Sequence, residues 1–140
     1  SDALTHMDGR ADRVLLDVPC SGTGAWRRNP DATWRLTPDM LDLYTARQDR
    51  LLRRGARLTK PGGRLIYVTC SLLRDENEDR ITAFVAENSD FQVLPMATIW
   101  GEVMKTDCPS LAEGSDFLSL TPYQHNTDGF FVAVLGRDQG

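Results

Sequence analysis

The chain has 140 residues, 41% hydrophobic and 26% charged, with a formal net charge of −4. This is enough for one domain with a buried core, in the composition of an ordinary globular chain rather than a fibrous or disordered one. No apolar run approaches the ~20 residues of a membrane span, and no charged-then-apolar leader opens the sequence. The three cysteines, Cys20, Cys70 and Cys108, are too few and too far apart for a zinc site or a disulfide scaffold. Free thiols in a reducing, cytoplasmic compartment are the expected state, with a Cys20–Cys70 disulfide as the alternative. Charge is uneven along the chain. Residues 27–64 hold ten basic and four acidic groups, whereas residues 65–140 hold four basic and twelve acidic ones. Such a basic segment can attract a polyanion on an acidic chain, although a solvated helix face explains a charge cluster just as simply.

Arg13 to Val18 is an almost continuous apolar run, as expected of a strand covered on both faces. After a loop, Thr37-Pro38 supplies a helix N-cap and a first-turn proline. Met40, Tyr44, Leu51 and Leu58, with Leu43 beside them, predict one face of a helix reaching about Thr59. Lys60-Pro61-Gly62-Gly63 is the expected stop, and Arg64 to Thr69 the second strand. Asp75 and Glu78 suggest a capping box for the next helix, lined by Ile81, Phe84, Val85 and Asn88. Phe91 to Leu94 reads as a short strand and Gly129 to Leu135 as a closing one. Residues 95–128 are poorly patterned, and a loop so long is functional or hides further elements. The alternation, closed by a late strand, predicts an α/β layer with a mainly parallel sheet.

Ligands of such sheets sit at the carboxyl ends of the strands. Cys20, in DVPCSGTG, and Cys70, in YVTCS, both fall there, so neighbouring strands would turn the two thiols toward one cleft. Each has a plainer reading as a small buried hydrophobe. Asp17 at a strand end is a candidate proton-handling carboxylate or simply a polar strand terminus. The SGTG turn is a weak phosphate-loop signal, lacking a third glycine and an acidic ribose partner. No local signature supports a Cys–His dyad with His6 or His125. Trp26, Arg27, Arg28, Trp34 and Arg35 interleave aromatics with guanidinium groups, a mix that can stack on bases and hold phosphates or pin a loop on the core. No metal site is expected.

Together DVPCSGTG, RRNPDATWRLTPD, KPGGRLIYVTCSLLRDENE and HNTDGFFVAVL resemble the Nop2/Sun (RsmB-type) RNA 5-methylcytosine methyltransferases, over most of the chain from Asp12 to Arg137. The resemblance implies the C-terminal half of a class I, Rossmann-like methyltransferase fold, its mainly parallel sheet carrying a late antiparallel strand, and the use of S-adenosylmethionine. It implies Cys70 as the nucleophile, Cys20 as the thiol assisting release of the methylated base, and Asp17 as the carboxylate on the cytosine edge. It also implies Asp17, Pro19 and Asp2 on the cofactor side. Arg27, Arg28 and Arg35 are then the expected contacts to RNA, presented as a single-stranded or splayed cytidine in rRNA or tRNA. The family's glycine-rich cofactor half is expected upstream of Ser1. Residues 1–140 therefore read as one truncated catalytic-domain fragment, inactive alone and prone to self-association through an unpaired sheet edge. Two alternatives stand beside this reading. One is a DNA-type cytosine methyltransferase with Cys20 as the attacker; the other is a noncatalytic RNA-binding module that keeps the fold.

Overall fold

The computed structural model describes residues 3–28, 30–112 and 114–140, with residues 32–34 followed through the backbone only. One sheet is built from β1 (Ala11–Asp17), β2 (Thr59–Thr69), β3 (Phe91–Leu94), β4 (Leu118–Leu120) and β5 (Phe130–Arg137). The helices are α1 (Pro38–Leu58), α2 (Glu78–Glu87), α3 (Met96–Val103) and the single turn α4 (Pro122–His125). Strand order is β1-β2-β5-β3, and β4 joins the same side of β5 as β3. β1 and β2 pair in parallel, while β5 runs antiparallel to β2, β3 and β4. Four strands thus share one direction and the last one opposes them, as the sequence predicts.

α1 begins as expected, with the Thr37 hydroxyl accepting from Met40 N–H at 3.2 Å and Pro38 in the first turn. Its buried stripe is Gln48, Leu52, Gly55 and Ala56 rather than the predicted Met40–Leu58 line. Leu51 and Leu58 pack at its flank, and Leu43 is 64% exposed. The cause is Gly55. A Cβ there would lie 2.7 Å from Leu65 and 3.0 Å from Leu16, so the helix settles where its missing side chain lets the sheet approach.

Two other boundaries differ from expectation. The helix runs straight into β2 at Thr59, and the Lys60–Gly63 segment is an irregularity inside the strand, because Ala11 pairs with Thr59 but Arg13 with Arg64. α2 has no side-chain cap, and the Asp75–Glu78 capping box does not form. Asn77 occupies the cap position, but its side chain is committed elsewhere, as described below.

The main core lies between the sheet and α1 with α2. Leu52, Leu65, Tyr67, Ile81, Phe131 and Leu135 are fully buried there, each worth about 1.5–3 kcal/mol in transfer terms. A smaller core of Met96, Ile99, Leu118 and Val134 sits under α3. β1 has β2 as its one strand neighbour among the described residues, and Leu15 on it is 68% exposed. No helix among the described residues is long and apolar enough to cross a membrane.

Candidate active site

The parallel pairing of β1 with β2 decides the site. Asp17 stands opposite Val68, and the ladder continues past the strand end through Val18 N–H to Val68 O at 3.1 Å. Cys20 and Cys70 follow at the same carboxyl rim, and their Sγ atoms are 3.3 Å apart. Both are free, half-buried thiols, so the disulfide alternative is not the state described. The gap is well above the ~2.05 Å of a sulfur–sulfur bond.

The two thiols share a proton unequally. The hydrogen bond with Cys20 brings Cys70 down to about 7, against burial and against the negative charges of Asp17 and Glu76. Cys20 is pushed up, first by that same bond to Cys70 and then by burial. The pair therefore favours the proton on Cys20 and the negative charge on Cys70.

The backbone around Cys70 is clamped. Gly24 N–H donates to Cys70 O at 2.9 Å, and Gly129 N–H donates to Gly24 O at 2.8 Å. A Cβ on Gly24 would lie 2.4 Å from Gly129 O and 2.7 Å from Cys70 O, so only glycine allows the closing block to lock the thiol loop. Asp17 is exposed at the end of β1, beside the pair.

The predicted RNA contacts are brought to the neighbourhood unevenly. Arg27 and Arg28 are both paired with Asp128, at 3.2 and 2.5 Å. They reinforce the contact between the Thr23–Ala25 turn and the closing block, and a phosphate would have to compete with that carboxylate. Arg35 is exposed and lines a cavity of about 140 Å³ with Ser21, Leu36, Met40 and Tyr44. A larger groove of about 430 Å³ opens beside Pro19, lined by Arg47, Arg50, Leu51 and Arg54. Asp2 lies outside the described residues. No group of three or more metal-ligating side chains converges among the described residues.

Sequence reasoning missed the polar residues behind the thiols: Gln48, Glu76, Asn77, Ser21, Thr23 and Ser71. Gln48 was hidden inside a helix pattern scored only for apolar residues. Glu76 and Asn77 lay in an acidic run that reads as solvated. The available signal was a glutamine at the position where an apolar residue would complete the Leu52–Ala56 stripe.

A sheet of this order with ligand groups at its carboxyl rim is the Rossmann-like fold of methyltransferases. The family model described as 16S rRNA methyltransferase RsmB/F matches residues 2–136, and the chain belongs to that family. It is 40% identical over 126 residues to a probable ribosomal RNA small subunit methyltransferase B of Synechocystis, covering 90% of this chain and 27% of that protein. The crystal structure of PH0851 superposes with a TM-score of 0.77 at 37% identity, over 91% of this chain and 27% of that one. A methyltransferase homolog protein from Pyrococcus horikoshii follows at 0.64 and 34%, over 90% and 39%. The chain thus spans about a quarter to two-fifths of the proteins it matches.

Proposed function

We propose that this chain carries the catalytic thiols of an S-adenosylmethionine-dependent RNA methyltransferase that modifies cytosine at C5. The observation that supports it most is the 3.3 Å thiol pair at the rim of adjacent parallel strands, with the lower-lying thiol in the T-C-S block. Cytosine C5 is a weak nucleophile. Addition of the Cys70 thiolate at C6 makes the ring electron-rich at C5, which is covalent catalysis in the ordinary sense. Asp17, exposed at the strand end, is the residue of this chain that would supply a proton or hydrogen bond to the ring edge and so relieve the charge that develops on it. After methyl transfer, loss of the C5 proton to a base restores the ring double bond and expels the Cys70 sulfur from C6 as a thiolate, which the neighbouring Cys20 thiol stabilises by its hydrogen bond.

S-adenosylmethionine supplies the electrophilic methyl group when bound. Asp17 and Pro19 are the residues of this chain that would hold it. The exposed Asp17 carboxylate suits the cationic sulfonium and amino groups of that cofactor, whereas the guanidinium groups of the groove beside Pro19 could meet only its carboxylate. The substrate is RNA with the target base out of its stack, since neither thiol could reach C6 inside a duplex.

Trapping on RNA containing 5-fluorocytosine tests the assignment in the whole protein that carries this chain. A covalent adduct should form with the native residues and with Cys20→Ala, and be lost with Cys70→Ala. Loss with Cys20→Ala alone would instead make Cys20 the attacker, the DNA-type reading that the raised Cys20 disfavours. The noncatalytic module predicts no adduct at all. We further take residues 1–140 as one part of a larger catalytic unit, given their share of the relatives' length. Isothermal titration of the 140-residue chain with S-adenosylmethionine is then expected to show no binding at micromolar concentration, and micromolar binding would refute this point.

A further inference from the structure

Among the described residues the buried polar ones are Thr23, Gln48, Thr59, Thr69, Ser71, Glu76 and Asn77, and all but Thr59 converge behind the two thiols. Glu76 is fully buried. Its carboxyl group accepts from Ser21 N–H at 2.8 Å, from the Ser21 hydroxyl at 2.7 Å and from Gln48 Nε2 at 3.3 Å. Gln48 Nε2 also donates to the Pro19 carbonyl at 2.9 Å. Cys20 is thereby held through both of its chain neighbours.

The next residue does the same for the other thiol. Asn77 accepts from the Thr69 hydroxyl at 2.6 Å and donates to the Ser71 carbonyl at 2.8 Å. Two consecutive side chains thus grip the flanks of two cysteines that are fifty residues apart in sequence. The Tyr67 hydroxyl fastens the same segment to β2 by donating to the Glu76 carbonyl at 2.5 Å.

Burying a carboxyl group is costly, and among the described residues no cation is hydrogen-bonded to it. Arg80, four residues further along the chain, is occupied by Asp49 at 2.8 Å. All three donors to Glu76 come from the Cys20 turn or from the residue that holds that turn. We propose that Glu76 is a positioning residue: with Gln48 it holds the Pro19–Cys20–Ser21 turn so that the Cys20 thiol donates its hydrogen bond to Cys70. Hydrogen bonds weaken steeply with distance and angle, so a small drift of the turn would separate the pair. The inference deepens the covalent reading above and rests on it for its catalytic meaning.

The sign of one measurement distinguishes positioning from simple charge. The charged or titratable groups that face Cys70 are Cys20, Asp17 and Glu76. As a bare negative charge Glu76 pushes Cys70 upward, so its removal would lower the ionisation midpoint of Cys70. As a clasp it keeps Cys20 in place, so its loss should raise that midpoint.

The test is iodoacetamide alkylation of the 140-residue chain across the neutral pH range, with Cys70 and Cys20 quantified separately by mass spectrometry. The native midpoint for Cys70 is expected at about 7. In Glu76→Gln it should rise toward the ~8.5 of an ordinary thiol. The rate at pH 7 should fall only about threefold, because a more basic thiolate is a better nucleophile; the midpoint is therefore the readout. Ser21→Ala, which removes one bond and no charge, should raise the midpoint by less, and it carries the test if Glu76→Gln does not fold. In a Cys20→Ala background, Glu76→Gln should give no further rise. A midpoint that stays or falls in both single variants, or a further rise without Cys20, overturns the proposal. No RNA or cofactor is present, so that failure would leave the adduct reading intact. Loss of the adduct with the midpoints as expected would sink only the latter.

Discussion

At the scale of single residues, the thiol pair depends on contacts that no local pattern announces. Gly24 is the clearest case, because backbone atoms of Gly129 and Cys70 occupy the space a side chain would need. Neither neighbour can swing aside as a flexible side chain could. Gly24→Ala is expected to cost about 1–3 kcal/mol, seen as a lowered urea midpoint, and to shift the Cys70 carbonyl. The residues that do chemistry were legible, since Cys20 and Cys70 stand where two strands end. The residues that hold them were not. Glu76 and Asn77 look like members of a solvated acidic segment, and only the fold shows that both are buried. The Asp75–Glu78 capping box fails for a related reason: the side chain at the cap position binds Thr69 and Ser71 instead of the helix start.

At the scale of elements, strands were easier to read than helix faces. Phe91–Leu94 forms as expected, β1 and β5 differ from expectation only at their ends, and β2 also takes in Thr59–Gly63, most of it the predicted helix stop. The face of α1 was misplaced because apolar spacing cannot weigh a glycine that admits the sheet. Residues 95–128 hide α3, β4 and α4. The Thr121-Pro122 start of α4 repeats the Thr37-Pro38 signature, and the Thr121 hydroxyl accepts from Gln124 N–H at 3.1 Å. β4 has only three residues, too few for an alternation to show. β1 carries the prediction at this scale. Its side away from β2 is unpaired among the described residues, and Leu15 is exposed on it. Such an edge invites pairing with another copy. Leu15→Lys is expected to lower the weight-average mass of the chain in sedimentation equilibrium, and an unchanged mass would argue that the edge does not associate.

At the scale of the whole molecule, one sheet divides two cores of different character. The larger, under α1 and α2, contains Tyr67, fully buried and edge-on to Phe131 with ring centroids 6.3 Å apart. Burial, reinforced by the negative charge of Glu76, pushes the Tyr67 phenol well above its ordinary value. In the unfolded chain the same phenol ionises near ~10. The folded form then binds more protons than the unfolded form above that pH, so stability declines as pH rises through it. Alkaline unfolding followed by circular dichroism should show this fall. Tyr67→Phe should flatten it, although the variant starts from lower stability through loss of the bond to Glu76. A slope unchanged by the substitution would assign alkaline unfolding to other groups.

The position of β5 also governs how the molecule is made. It is the last strand in chain order, yet it lies in the interior of the sheet, between β2 and β3. Until it emerges from the ribosome, β3 has no strand to bind and Gly129 cannot reach Gly24. Contacts that span more than a hundred residues form late and slowly. The nascent chain can therefore pair β1 with β2 and bring its two sulfurs together first, while the clamp that runs from Gly129 through Gly24 to the Cys70 carbonyl closes only once β5 has been made.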